Sequence, residues 1–148
     1  MLPVMKMKSN KDLLFSVLKT AQMGQTGIRS VMDKAVRTEF KGVLRSQLSE
    51  YDAIEREAYA IAASRGWDPE ALDPTAKRMA AVMSKVRLQG PDRDSKIAAM
   101  MINGNTRGMI KSLKNLHRYP GTDDRVTTLS QRLLDCERAN IIQMQGFV

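Results

Sequence analysis

The sequence predicts an all-α protein built as a bundle of four long helices. Three observations carry that expectation. Apolar residues recur at spacings of three and four along four separate stretches, the period of a helix with one inward face. Glycine and proline gather between those stretches, as in Arg65-Gly66, Gly90-Pro91 and Tyr119-Pro120-Gly121. The apolar residues are mainly Leu, Ile, Met, Val and Ala, with 11 methionines and 5% aromatics, a set that packs helix on helix more readily than it builds a sheet. At 148 residues the chain has the size of one domain and can bury a core without disulfides or metals.

Residues 1–9 carry no periodic pattern and are expected to form a flexible N-terminal lead; residues 10–148 form the single domain. The first helix starts at Ser9-Asn10-Lys11-Asp12, a serine followed three residues later by an acid, which is a capping-box pattern. Its inward stripe reads Leu14, Val17, Leu18, Ala21, Gly24, Ile28, Val31 and Ala35, flanked at the midpoint by Gln22 and Gln25. The reversal is placed between Lys34 and Glu39. The second helix follows with Phe40, Leu44, Gln47, Tyr51, Ile54, Ala58 and Ile61 alternating at fours and threes, and Gly66 ends it as a left-handed cap residue.

Asp68-Pro69 and Asp73-Pro74 each set a capping acid before a proline. A short crossover helix is expected from Thr75 to Leu88, between the second and third long helices, with Met79, Ala80, Met83 and Val86 on one side. The third long helix runs from Ser95 to Tyr119, with Ala98, Met101, Ile102, Met109, Leu113 and Leu116 as its apolar stripe. Its middle breaks into Asn103, Gly104, Asn105 and Gly108. Each glycine lowers helix propensity by up to about 1 kcal/mol, so a close helix crossing or a buried polar layer must favour them. Thr122, Asp123 and Asp124 cap the last helix, whose inward line is Val126, Leu129, Leu133, Glu137, Asn140, Ile141 and Met144.

The helix midpoints bring Gln22, Gln25, Gln47, Glu50, Asn105, Glu137 and Asn140 to one height, a polar layer inside a bundle. Bundles that hold two metal ions place carboxylates and Glu-x-x-His pairs there. Here Glu137-Arg138-Ala139-Asn140 has asparagine in the histidine position, and Gln47 puts an amide in a ligand slot. Amides are weak ligands for transition metals. The layer therefore reads as a hydrogen-bonded register device or a small polar ligand pocket, with a di-metal centre the least favoured of the three.

LRSQLSEYDAIEREA on the second helix, IAAMMINGNTRGMIKSLKNL on the third and LLDCERANI on the fourth resemble uncharacterised bacterial bundles of the ferritin-like superfamily that have lost their metal ligands. The resemblance covers the chain from about Lys11. It implies a ferritin-like four-helix bundle, no metal, no cofactor and no assigned activity.

The remaining chemistry-bearing residues have structural explanations. His117, the one histidine, stands near the end of the third helix, where a cation suits the helix dipole. Cys136 is the one cysteine, so no disulfide can form within the chain, and the neighbouring Glu137 opposes thiolate formation. A reducing, cytoplasmic setting follows from that, and the start MLPVMKMK is not followed by an apolar run suited to a signal peptide. No stretch is apolar enough to enter a membrane.

The expected function is therefore not enzymatic: a structural or protein-interaction module. Ala98, Ala99, Met100, Met101 and Ile102 give the third helix a wide apolar arc, and with Met79 and Met83 they suggest a homodimer interface. The alternative rests on the formal charge of +8. It makes the chain a basic accessory protein that binds nucleic acid or an acidic partner through Lys77, Arg78, Lys85, Arg87, Lys111, Lys114 and Arg118. Basic residues interleaved with acids, as in Glu55-Arg56-Glu57, favour a solvated surface instead.

Overall fold

The computed structural model describes residues 9–69 and 88–148, in which α1 spans Asn10–Met32, α2 Thr38–Arg65, α3 Arg93–His117 and α4 Asp124–Gln145. No strand occurs among the described residues. The N-terminal lead up to Lys8 and the expected crossover helix, with Met79, Met83 and its basic residues, lie outside the described residues; Leu88, at the end of that stretch, is buried in the core.

The local signals act as their chemistry requires. Ser9 accepts from the Asp12 amide at 3.0 Å while Asp12 accepts from the Ser9 amide, so the capping box opens α1. Gly66 takes φ 69°, the left-handed conformation that ends α2. Asp123 caps α4 by accepting from the Arg125 and Val126 amides. α2 and α3 begin without a side-chain cap of their own.

Contacts between helix ends establish the directions. Asp94, at the start of α3, accepts from the amides of Val36 and Arg37, just before α2, so those two helices run parallel. Arg65, the last residue of α2, pairs with Asp123 at the start of α4, and the Tyr119 hydroxyl beyond α3 donates to Asn10 at the start of α1. The order is up, down, down, up. α1 packs on α2 and α3, α4 packs on α2 and α3, and α1 also meets α4 across the centre.

The core runs the length of the bundle. Phe40, Leu14, Leu18, Ile28, Leu44, Ile54, Ile61, Ile97, Leu133 and Met144 are fully enclosed, and every member of the α2 stripe is buried. The second half of α3 departs from expectation. Its inward line is Ser112 and Asn115, while Met109, Leu113 and Leu116 are half-exposed. The Asn115 amide donates to the Ser16 hydroxyl on α1 at 2.7 Å. Small and polar side chains let α3 lie close against its neighbours, and the larger apolar ones roll to the flanks.

Candidate functional site: an interior polar layer and its cavity

Four turns of helix meet halfway along the bundle. Gln47 and Tyr51 stand one turn apart on α2, which puts both on its inward face. Asn105 faces them from α3, and Cys136, Glu137 and Asn140 from α4, all buried. The α1 wall is Gly24: a Cβ there would come within 2.6 Å of the Tyr51 ring, so only glycine leaves room for the aromatic. Gly108 does the same for Glu137.

Hydrogen bonds tie three helices together. The Tyr51 hydroxyl donates to Asn105 Oδ1 at 2.7 Å, Asn140 Nδ2 donates to the same oxygen at 3.3 Å, and Asn105 Nδ2 donates to the Met101 carbonyl at 2.8 Å. Asn140 Nδ2 also lies 3.7 Å from Cys136 Sγ. Gln47 Nε2 donates to Gln143 Oε1 at 2.9 Å. Burial is the main reason the Tyr51 phenol stays protonated, with Cys136 and Glu137 adding to it. Burial likewise pushes the Cys136 thiol up to about 12, helped by Glu50 and Glu137, which leaves it an unreactive thiol.

Glu137 is the exception to this satisfaction. It is 0% exposed, and neither carboxylate oxygen has a hydrogen-bond partner; Gln47 Oε1 is likewise unpartnered. Burial raises the Glu137 carboxyl from the ordinary 4.5 to about 8, with Lys111 pulling the other way. Both residues line a cavity of about 400 Å³ walled by Met23, Gly24, Gly27 and Ile28 from α1 and by Met100, Met101, Gly104 and Gly108 from α3.

The structure brings together Gln47, Asn105, Glu137 and Asn140, four of the seven residues expected in the layer. Three stand elsewhere. Gln22, one residue past the inward Ala21, is turned about 100° round the helix and donates to the Tyr59 hydroxyl at 3.0 Å on the flank. Gln25 is buried but bonds within its own helix, to the Ala21 carbonyl and Arg29. Glu50, three residues beyond Gln47, swings off the seam and pairs with Arg132 at 2.8 Å. Tyr51 and Gln143 are layer members that the sequence reading left out. Tyr51 shows itself only by standing one turn from Gln47 on the same stripe.

Other expected positions shift as well. Gly104, read as a packing glycine, is exposed and has nothing within 4 Å of a notional Cβ; Gly24 takes that role beside Gly108. Met100, read as an interface residue, is half-buried against the core and lines the cavity, with Ala98 and Met101 buried beside it. Of the basic set, Lys111 and Lys114 are exposed and Arg118 is half-buried. Among the described residues no group of three or more His, Cys, Asp or Glu converges as metal ligands, and no helix is long and apolar enough to cross a membrane.

No protein-family model and no curated protein matches the chain. Among solved structures, the crystal structure of a DUF305 fragment from Deinococcus radiodurans is similar at a TM-score of 0.71, with 14% sequence identity, over 96% of this chain and 97% of that one. At that identity the similarity establishes the fold: an all-helical bundle shared by two chains whose sequences have little in common.

Proposed function

We propose that this chain is a ferritin-like helical bundle that holds a small ligand in its interior and performs no reaction on it. The up-down-down-up order, with one long connection between α2 and α3, supports the ferritin-like assignment, since that connectivity distinguishes such bundles from simple up-down ones. The observation that carries ligand binding is Glu137: an enclosed carboxyl group with neither oxygen hydrogen-bonded, at the wall of a cavity. Buried carboxylates are costly unless paired, so a group left in this state points to a partner that comes from outside. The absence of reaction chemistry is supported by the donor set, one carboxylate among neutral amides, and by the inert Cys136 thiol. That free, buried thiol also supports a reducing, cytoplasmic setting.

The test is whether the cavity admits an apolar molecule. Prodan, a neutral dye whose emission brightens in apolar surroundings, is expected to bind the native protein. Gly27→Leu, which places a large side chain where a Cβ meets nothing within 4 Å, is expected to abolish the signal without loss of helix. Native protein that leaves the dye in water overturns the reading.

A second reading is a module that pairs with a second copy of itself or another protein. It is supported by Ile110 and Ile142, large apolar side chains on α3 and α4 that remain 46% and 68% exposed. The two readings are compatible, because the cavity is interior and these residues are not.

A further inference from the structure

The hydrogen bonds of the polar layer limit the ligand's chemistry. The Tyr51 hydroxyl, Asn105 Nδ2, Asn140 Nδ2 and Gln47 Nε2 each already donate to a protein acceptor. The buried atoms left unpartnered at the cavity are Gln47 Oε1 and the two oxygens of Glu137, all of them acceptors once the carboxyl is ionised. The missing counterpart is therefore a donor, and one that carries positive charge, because a charge-assisted bond is what offsets the burial of a carboxylate.

The remaining walls describe the body of the molecule. Met23, Ile28, Met100 and Met101 give apolar and adaptable surface. A volume of about 400 Å³ lies at the small end of the range for ligand pockets. Beside Glu137 on α4, charged groups reach the cavity from one helix: α1 and α2 contribute none to its lining, whereas α3 contributes Arg107 and Lys111, both exposed at its edge. Two cations at the edge oppose a second positive charge at the outer end of the ligand.

Resting on the ligand-binding reading above, we propose that the cavity binds a primary organic monoammonium ion with a compact apolar body. The ammonium donates to the Glu137 carboxylate, with Gln47 Oε1 as a further acceptor, and the body lies against Met23, Ile28, Met100 and Met101. Diamines are disfavoured by Arg107 and Lys111. In the free protein the Glu137 carboxyl, raised to about 8, is largely protonated at neutral pH. Binding then releases one proton to solvent, leaving carboxylate and ammonium paired, so affinity rises about tenfold per pH unit up to that value and levels off above it.

Isothermal titration of the intact chain with phenethylamine, phenethyl alcohol and cadaverine, at about pH 6.5 and about pH 7.5 and in phosphate and MOPS buffers, tests this. Phenethylamine is expected to bind with release of one proton and about a tenfold gain between the two pH values. The alcohol, of nearly the same shape, is expected to bind at least about tenfold more weakly, as it meets a protonated Glu137 and forms no charge-assisted bond. Cadaverine is expected to be weaker than phenethylamine. Glu137→Gln should lose the preference for amine over alcohol, and Gln47→Met should weaken amine binding. Helix content and urea midpoints of both variants verify folding. Equal binding of amine and alcohol, or a preference that survives Glu137→Gln, overturns the proposal. If prodan binds and phenethylamine does not, the ammonium inference falls and the cavity reading stands; if neither binds, both fall.

Discussion

A methyl group at position 108 would collide with the whole carboxyl group of Glu137: glycine on α3 makes the space that the acid on α4 occupies. The pair costs helix propensity on one side and desolvation on the other. Each is intelligible only with the other in view, since the three atoms that a Cβ at position 108 would meet first all belong to Glu137.

Glu137 leaves a signature in stability against pH. Its carboxyl stands at about 8 in the folded chain against the ordinary 4.5, so across that window the folded state holds a proton that the unfolded state has lost. Stability is full below the lower value and falls as pH rises through the window, by about 1.4 kcal/mol per pH unit at most, a total of several kcal/mol. Glu137→Gln is expected to remove the decline. Urea unfolding should show native and variant similar near about pH 4 and the variant more stable near about pH 8. Parallel curves would mean that Glu137 is paired in the ligand-free protein.

The glycines of the two facing helices are expected to respond with opposite signs. At Gly24 a Cβ would stand 2.6 Å from the Tyr51 ring, which its hydroxyl bond to Asn105 holds in place. Gly24→Ala should therefore cost about 1–3 kcal/mol through overpacking. At Gly104 a Cβ meets nothing within 4 Å, so Gly104→Ala should gain about 0.5–1 kcal/mol from helix propensity alone. Urea midpoints of the two variants decide it. A stabilised Gly24→Ala would show that Tyr51 is free to move.

The contrast between these glycines marks how far the sequence could be read. Helical period and cap chemistry located the long helices closely, because Ser9, Gly66 and Asp123 act on backbone groups a few residues away. Gln47, Asn105, Glu137 and Asn140 were legible as a layer because each falls on an apolar stripe at mid-helix. The rest depended on rotation about each helix axis. A residue one or three places from the stripe, such as Gln22 or Glu50, turns to a flank, and its partner Tyr59 or Arg132 is distant in sequence. Gly104 and Gly108 look alike until the neighbouring helix is placed; then one faces solvent and the other faces Glu137.

Ile142 offers a test of pairing that leaves the interior alone. Its side chain is 68% exposed, so Ile142→Glu should leave stability within about 0.5 kcal/mol. If the bundle associates through this surface, light scattering at micromolar concentration is expected to give twice the chain mass for the native protein and a monomer for the variant. Equal masses for the two would take Ile142 out of any interface.

Asp94 is expected to act in the opposite pH direction from Glu137. The first turn of α2 has no cap from its own residues, and the Asp94 carboxylate supplies one from α3, accepting from the Val36 amide at 2.8 Å, the Arg37 amide at 2.9 Å and Arg37 Nε at 3.2 Å. Burial by itself would raise this carboxyl; the two amides and the guanidinium overrule it and hold it below the ordinary 3.8. A depressed group contributes stability above its unfolded value and loses it as pH falls, so the loss begins below about 4. Asp94→Ala leaves two backbone donors at the start of α2 without their acceptor and should cost about 3 kcal/mol at neutral pH. Asp94→Asn keeps one acceptor oxygen and the shape, should cost less, and should flatten the acid limb of the unfolding curve. The cost should also appear as faster amide exchange at Val36 and Arg37. If Asp94→Ala leaves that exchange and the acid limb unchanged, α2 starts without help from α3, and the two parallel helices are joined mainly through α1 and α4, which pack on both.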